Sequence, residues 1–185
     1  MQPSIYVVTG KVQGGKTCFL TELVELLKKR KILLCGFLCP GTFDLGERSG
    51  FRLKNVETGK EVPMASVKAT AHWVKYRKFW FNPEAFKHGK EWIRECLRQK
   101  VQIIVIDEVG PMELEGSGWS ELLEDISQAP IPVQLWSVRE NLLEDVIQRW
   151  NIASEHILHI DKLEVEQAVQ RISGFLANIS KQNHN

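Results

Sequence analysis

Gly10-Lys11-Val12-Gln13-Gly14-Gly15-Lys16-Thr17 satisfies the pattern G-x-x-x-x-G-K-S/T at every fixed position. With average glycine usage near 7%, a chance match in a chain of this length arises roughly once in a few hundred. The flanks add to its weight. Ile5 to Thr9 is a short β-branched run, a buried-strand candidate, and Phe19, Leu20, Leu23, Val24 and Leu27 recur at helical spacing from Thr17 to Arg30. A glycine-rich loop between strand and helix has a definite chemistry. Gly10, Gly14 and Gly15 let the backbone curl so that successive N–H groups surround phosphate oxygens. The helix start adds unpaired N–H groups and the positive end of a dipole. Lys16 is placed to reach β- and γ-phosphates, and Thr17 to offer its hydroxyl to Mg²⁺.

Strand and helix patterns alternate outward from this loop. Ile32 to Cys39 is a second apolar strand. Asn82-Pro83-Glu84 is a helix start: a capping Asn, Pro in the first turn and an acid at the positive end. Val101 to Ile106 is the most continuous apolar strand of the chain. Ser120 to Ser127 reads as helix, Ile131 to Trp136 as strand, Leu142 to Trp150 as helix and Ile157 to Ile160 as strand. Asp161 and Glu164 suggest a capping box for a last helix striped by Val165, Ala168, Val169, Ile172, Phe175, Leu176 and Ile179, and residues 181–185 should fray. Short apolar strands between amphipathic helices imply an α/β fold with a mostly parallel sheet covered on both faces. Between about residues 40 and 81 the texture is β-rich, expected as an insertion on a single domain spanning residues 1–185. Thr42 to Gly50 reads as a polar loop there, and Pro63 places the strand Glu61 to Val67 at a sheet edge.

Ile103-Ile104-Val105-Ile106-Asp107-Glu108 carries two acids to the carboxyl end of a buried strand, where open α/β sheets bind ligands. Asp107 is expected to hold Mg²⁺ with Thr17, and Glu108 to orient or deprotonate an attacking water. Neighbouring strand residues face opposite ways, so both acids serve one site only if the strand ends there, as Gly110-Pro111 suggests. Glu113 reads as a solvated loop residue. Arg48 and Arg139 are further candidates for phosphate contact.

Composition narrows the classes. The 24 basic and 23 acidic residues of 185 leave a formal charge of +1, which gives no push toward nucleic acid or a membrane surface. No run reaches the roughly 18 apolar residues of a membrane span, and Met1-Gln2-Pro3-Ser4 lacks the start of a signal peptide. Cys18, Cys35, Cys39 and Cys96 lack metal or redox spacing and read as four reduced thiols, in keeping with a cytoplasmic setting. Trp73 to Phe81 mixes aromatic and basic residues, as single-strand binding surfaces do, but reads first as an amphipathic strand with its charges in water.

Three stretches together resemble a known family, the small nucleoside triphosphatases first described from thermophilic bacteria. They are the phosphate loop; Asp107-Glu108-Val109-Gly110-Pro111-Met112-Glu113-Leu114, similar to the family's D-E-I-G-x-M-E-L; and the intervening order Gly36-Phe37, Arg48-Ser49-Gly50-Phe51 and Lys75-Tyr76. The resemblance implies a RecA-like P-loop core and Mg²⁺-dependent hydrolysis of several nucleoside triphosphates, ATP and GTP among them. Carried over by position, the nucleotide site comprises Gly10, Lys11, Val12, Gln13, Gly14, Gly15, Lys16 and Thr17 with Asp107, Glu108 and Gly110, and the catalytic residues are Lys16 and Glu108. The chain departs from the family at Lys11, Gln13, Cys18 and Cys39, none of them a catalytic group. A kinase with a small acceptor and a nucleotide-dependent switch or adaptor stay open beside the hydrolase. The acid pair favours water as nucleophile, and the sequence leaves the oligomeric state open.

Overall fold

The computed structural model describes residues 3–182. In chain order β1 (Ser4–Gly10) leads into α1 (Lys16–Lys29) and β2 (Leu34–Leu38). An uninterrupted β stretch follows: β3 (Gly41–Asp44), β4 (Glu47–Asn55), β5 (Glu61–Ser66), β6 (Val74–Tyr76) and β7 (Phe79–Phe81). Alternation then resumes with α2 (Pro83–Arg98), β8 (Ile103–Val109), the short α3 (Pro111–Leu114), α4 (Ser120–Ser127) and β9 (Val133–Arg139). The described chain closes with α5 (Leu143–Trp150), β10 (Ile157–His159) and α6 (Val165–Gln182).

These strands build one sheet in the order β10-β1-β9-β8-β2-β4-β5-β7-β6, with β3 paired to β4. From β10 to β2 every pairing is parallel, and from β2 outward every pairing is antiparallel. The expected α/β core is therefore present, and the insertion is not a separate layer but a continuation of the same sheet. Alternate residues of each core strand face opposite helical layers. Ile103 and Val105 pack with Leu20, Leu23, Val24 and Leu27 of α1 and Ala168, Val169 and Ile172 of α6. Ile104 and Ile106 pack with Ile93 of α2, Leu123 and Ile126 of α4 and Val146 of α5. A strand buried on both faces explains the unbroken apolar run of β8. Each such side chain contributes roughly 1.5–3 kcal/mol of burial. No helix among the described residues is long and apolar enough to cross a membrane.

Local signals are realised unevenly. The Asn82 carboxamide oxygen accepts from the Glu84 N–H at 3.1 Å, the expected cap of α2. The Asp161–Glu164 box does not form. The last helix starts at Val165, and the side chain of Gln167 accepts from the Glu164 N–H at 3.0 Å instead. That helix includes Lys181 and Gln182 of the expected frayed tail, and residues 183–185 lie outside the described residues. The stretch from Thr42 to Gly50 is not a loop but the β3–β4 hairpin, turned by Leu45 (φ 49°) and Gly46 (φ 82°). Both turn residues occupy the left-handed region that matches strand twist, yet Leu-Gly lacks the Asn-Gly signature that would announce it.

Pro63 does not lie on an edge strand, because β5 is flanked by β4 and β7. It stands opposite Arg52 of β4 but lies beyond the β7 pairing, which involves only Ala65 and Ser66, and its carbonyl accepts from the Asn82 side-chain amide at 2.9 Å. The cysteine expectation is also corrected. Cys35 on β2 and Cys96 on α2 form a disulfide, with Cα atoms 6.0 Å apart across 61 residues of sequence, while Cys18 and Cys39 are free. Spacing cannot reveal a pair that meets only because α2 packs against β2.

Candidate active site

The phosphate loop leaves β1 at Gly10, whose Cα lies so close to Ile160 that a Cβ would meet its side chain at 2.7 Å. The loop turns through Gln13 (φ 58°) and a Lys11–Gly14 backbone hydrogen bond of 3.0 Å, then enters α1 through Gly15 at φ 91°. No side chain caps α1 and no acid lies in its first turn, in contrast to α2. Its leading N–H groups are thus left for an anion. Lys16 is only 7% exposed and donates from Nζ to the carbonyls of Gly10 (3.2 Å) and Lys11 (2.9 Å). Burial pulls its ammonium below the usual lysine range, while Glu108 acts in the opposite sense. Its conformation, folded over the loop beside an acid, suits a cation held ready for phosphate.

One strand away from β1, across β9, β8 brings up the acids. The β8–β9 ladder breaks between Ile106 and Val109, and Glu108 sits at φ 64°, a conformation that a non-glycine residue adopts at a cost. The strand therefore does not end at the acid pair, as the alternation of side chains had seemed to require. It bulges there and runs on to Val109. The bulge re-aims the side chains, a common device beside active sites.

The two acids have different surroundings. Asp107 is fully buried. One of its oxygens accepts from the Cys39 N–H at 2.9 Å, and the other from the Ser137 hydroxyl and from the Glu108 N–H at 3.0 Å. Glu108 keeps 20% of its side chain exposed and meets Arg139 Nη2 at 3.4 Å. Burial raises its pKa and the charge of Asp107 adds to that, while Arg139, Lys16 and Arg48 oppose. Glu108 thus has the exposure and the raised basicity of a proton acceptor, and Asp107 has the rigidity of a strut. Thr17, Asp107 and Glu108 offer oxygen donors only, the chemistry magnesium selects. Because both Asp107 oxygens already accept protein hydrogen bonds, they suit an ion that keeps its waters.

Glu113 overturns its reading as a solvated loop residue. It is 3% exposed and accepts from the N–H groups of Gly110 (2.8 Å) and Trp119 (3.0 Å), tying off α3. Burial pushes its pKa up to about 7 against those two hydrogen bonds. The same turn is held from outside by Arg149, which the sequence did not single out. Its guanidinium donates to the carbonyls of Glu113 and Leu114, both at 2.9 Å, and to Ser120 Oγ at 3.0 Å. Ser137 and Cys39, which fix Asp107 and Glu108, were also missed. They lie at ends of neighbouring strands, and only the register brings them together. The Cys39 thiol is pushed well above its ordinary pKa by burial and by Asp107, so it stays protonated.

Beyond Glu108 a cavity of about 410 Å³ opens between the core and the insertion. Val12, Gln13, Glu108, Gly110 and Arg139 form its core side, and Arg48, Phe51 and Phe79 belong to the insertion. The structure thus brings Lys16, Asp107, Glu108 and both candidate arginines to one end of the sheet. The aromatic and basic stretch forms the β6–β7 hairpin, with Phe79 buried and Lys75, Arg77 and Lys78 exposed, the amphipathic arrangement expected of it.

A sequence model of the NTPase family matches residues 5–173. The chain is 32% identical over 129 residues to the nucleoside-triphosphatase THEP1 of Sulfurisphaera tokodaii, covering 68% of this chain and 73% of that one. It is 32% identical over 132 residues to the nucleoside-triphosphatase THEP1 of Sulfolobus acidocaldarius, covering 71% and 75%. Among solved structures, that of a human cancer-related nucleoside triphosphatase superimposes with a TM-score of 0.63 at 20% identity, covering 96% of each chain. The crystal structure of THEP1 from the hyperthermophile Aquifex aeolicus gives 0.62 at 23%, covering 95% of this chain and 96% of that one. At those identities the two structures speak to the fold alone, and the fold they share with this chain is that of a P-loop NTPase. With its phosphate loop, its bulged acid pair and a family match running from β1 into α6, the chain belongs to the NTPase family.

Proposed function

We propose that the chain hydrolyses nucleoside triphosphates to diphosphate and phosphate, with magnesium and with loose selectivity for the base. The observation that carries this reading is the bulge at Asp107 and Glu108. It sets a largely buried carboxylate of raised pKa, still 20% exposed, beside Arg139 and within electrostatic reach of Lys16. In this reading the N–H groups from Gly10 to Thr17 cradle the phosphates, and Lys16 leaves its loop carbonyls to contact the β- and γ-oxygens. Thr17 and Asp107 would hold magnesium, and Gly110 follows the acid pair on the same wall of the cavity. Magnesium, when bound, neutralises charge on the β- and γ-phosphate oxygens. Glu108 takes a proton from water as the water oxygen bonds to the γ-phosphorus. The bond to the β,γ-bridging oxygen breaks, and the electron pair leaves with the diphosphate. Arg139, paired to Glu108 across 3.4 Å, favours the ionised carboxylate against the burial and the Asp107 charge that raise its pKa.

The names of the relatives, nucleoside-triphosphatase in each case, support the same reaction. The test is phosphate release from ATP, GTP, CTP and UTP with Mg²⁺ and no added acceptor. Release from several of them, abolished in Lys16→Ala, is expected. Absence of release until a hydroxyl acceptor is supplied would replace the hydrolase with a kinase.

A further inference from the structure

The cavity next to Glu108 is larger than hydrolysis needs. A water molecule occupies about 30 Å³, whereas about 410 Å³ is available. That volume lies in the range of sites for organic ligands, roughly 300–1,000 Å³. Its position restricts what enters. In-line attack places the nucleophile opposite the leaving diphosphate, so the nucleoside extends away from Glu108. A space bordered by Glu108 is therefore on the nucleophile's side of the γ-phosphate. It is not where the base of the bound nucleotide lies.

The walls specify a ligand. The insertion contributes Phe51 and Phe79, edge to face at 5.2 Å, and α2 and the α3–α4 segment contribute Phe86 and Trp119 at 4.7 Å. Rings on two sides of one space accept a flat aromatic body. The cations on its rim differ in their commitments. Arg139 pairs with Glu108, Arg77 pairs with Glu115 at 3.3 Å, and Lys78 lies exposed with its ammonium 5.0 Å from the Phe79 ring centre. Arg48 pairs with no carboxylate among the described residues. Its guanidinium carbon lies 5.0 Å from the Phe51 ring centre and 5.4 Å from that of Phe43, and its Nε is buried without a hydrogen-bond partner. A guanidinium fixed between two rings with an unused buried donor is prepared for an anion.

We propose that this cavity is a second ligand site, which shares the wall of Val12, Gln13, Glu108 and Gly110 with the nucleotide's and extends from it toward the insertion. It takes a planar aromatic molecule that carries a carboxylate, sulfonate or phosphate, the ring between the aromatic walls and the anion on Arg48. The orientation rests on the hydrolase reading, but the binding itself does not, and the test separates the two. Anilinonaphthalene sulfonate is the probe, a fused aromatic ring with one anionic group whose fluorescence rises in apolar surroundings. Saturable binding of one probe per folded chain is expected.

Arg48→Ala should weaken that binding about tenfold, the loss of one charge-assisted contact, and Arg48→Lys should recover part of it. Met112→Trp, which fills the cavity from the α3 side, should weaken it too. Near-ultraviolet circular dichroism establishes that each variant is folded, and either folded variant alone suffices. Lys16→Ala should bind the probe as the unmodified chain does while losing phosphate release, and ADP with Mg²⁺ should not displace the probe. Binding that survives Arg48→Ala and Met112→Trp, displacement by ADP, loss of binding in Lys16→Ala, or no saturable binding would each overturn the proposal.

Discussion

The parallel half of the sheet, β10-β1-β9-β8-β2, and its antiparallel half, β3 to β7, do their work by different means. In the parallel half the groups proposed to meet phosphate and water are placed by backbone: a loop with Gly15 at φ 91°, an uncapped helix start and a bulge with Glu108 at φ 64°. Each is a local deviation at the carboxyl end of a strand buried on both faces, so a packed core holds the deviation in place. The antiparallel half presents side chains. Arg48 and Phe51 come from β4 and Phe79 from β7, two strands separated by β5 that acquire a common direction only through pairing. The first half carries the loop and the acid pair, and the second walls the far side of the cavity next to Glu108.

The largest effect on the parallel half is expected from Lys16→Ala, which removes the one charged side chain of the phosphate loop that folds back over its own carbonyls. Phosphate release should fall by roughly 10²–10³-fold or more, the usual effect of deleting one donor to developing charge. The Cys35–Cys96 disulfide joins the strand before the insertion to the helix after it, closing 61 residues. Chain entropy assigns such a loop about 4 kcal/mol. Reduction should therefore lower the unfolding free energy by roughly 2–4 kcal/mol, read as a drop of the denaturant midpoint with reductant.

Glu113, buried beside the acid pair, makes stability depend on pH. Its pKa is about 7 in the folded chain and 4.5 when unfolded. Between those values the folded state holds the proton more tightly, so stability is fully present below 4.5 and is lost as pH rises to about 7. At about 1.4 kcal/mol per unit the loss is on the order of 3 kcal/mol. Unfolding curves of the unmodified chain between those pH values should show it, and Glu113→Gln should not. The smallest effect belongs to the Arg52–Glu61 pair on the insertion hairpin, 2.6 Å apart and each more than a third exposed. A double-mutant cycle should give less than about 1 kcal/mol.

Local encoding also explains what the sequence discloses. The phosphate loop, the cap at Asn82 and the continuous run of β8 depend on neighbours a few residues away, and each was legible. The two acids were legible as a pair, but not the bulge that makes them face one site, because nothing between Ile106 and Val109 announces a left-handed residue. Glu113 was misread because its burial depends on Gly110, Trp119 and the clamp by Arg149, which is 36 residues away in sequence. The β3–β4 hairpin and the disulfide were missed for the same reason, since polar texture and cysteine spacing carry no record of what packs against them.

In the proposed reaction Glu108 acts on water after the nucleotide is bound, not in binding it. Glu108→Gln keeps the size of the side chain and removes its basicity, so nucleotide affinity and turnover should be measured on the same preparation. The account predicts a Kd for ATP with Mg²⁺ within about threefold of the unmodified chain and a kcat lower by roughly 10²–10⁴-fold, the range of general-base catalysis. An unchanged kcat, or a loss of turnover explained entirely by weaker binding, would contradict it.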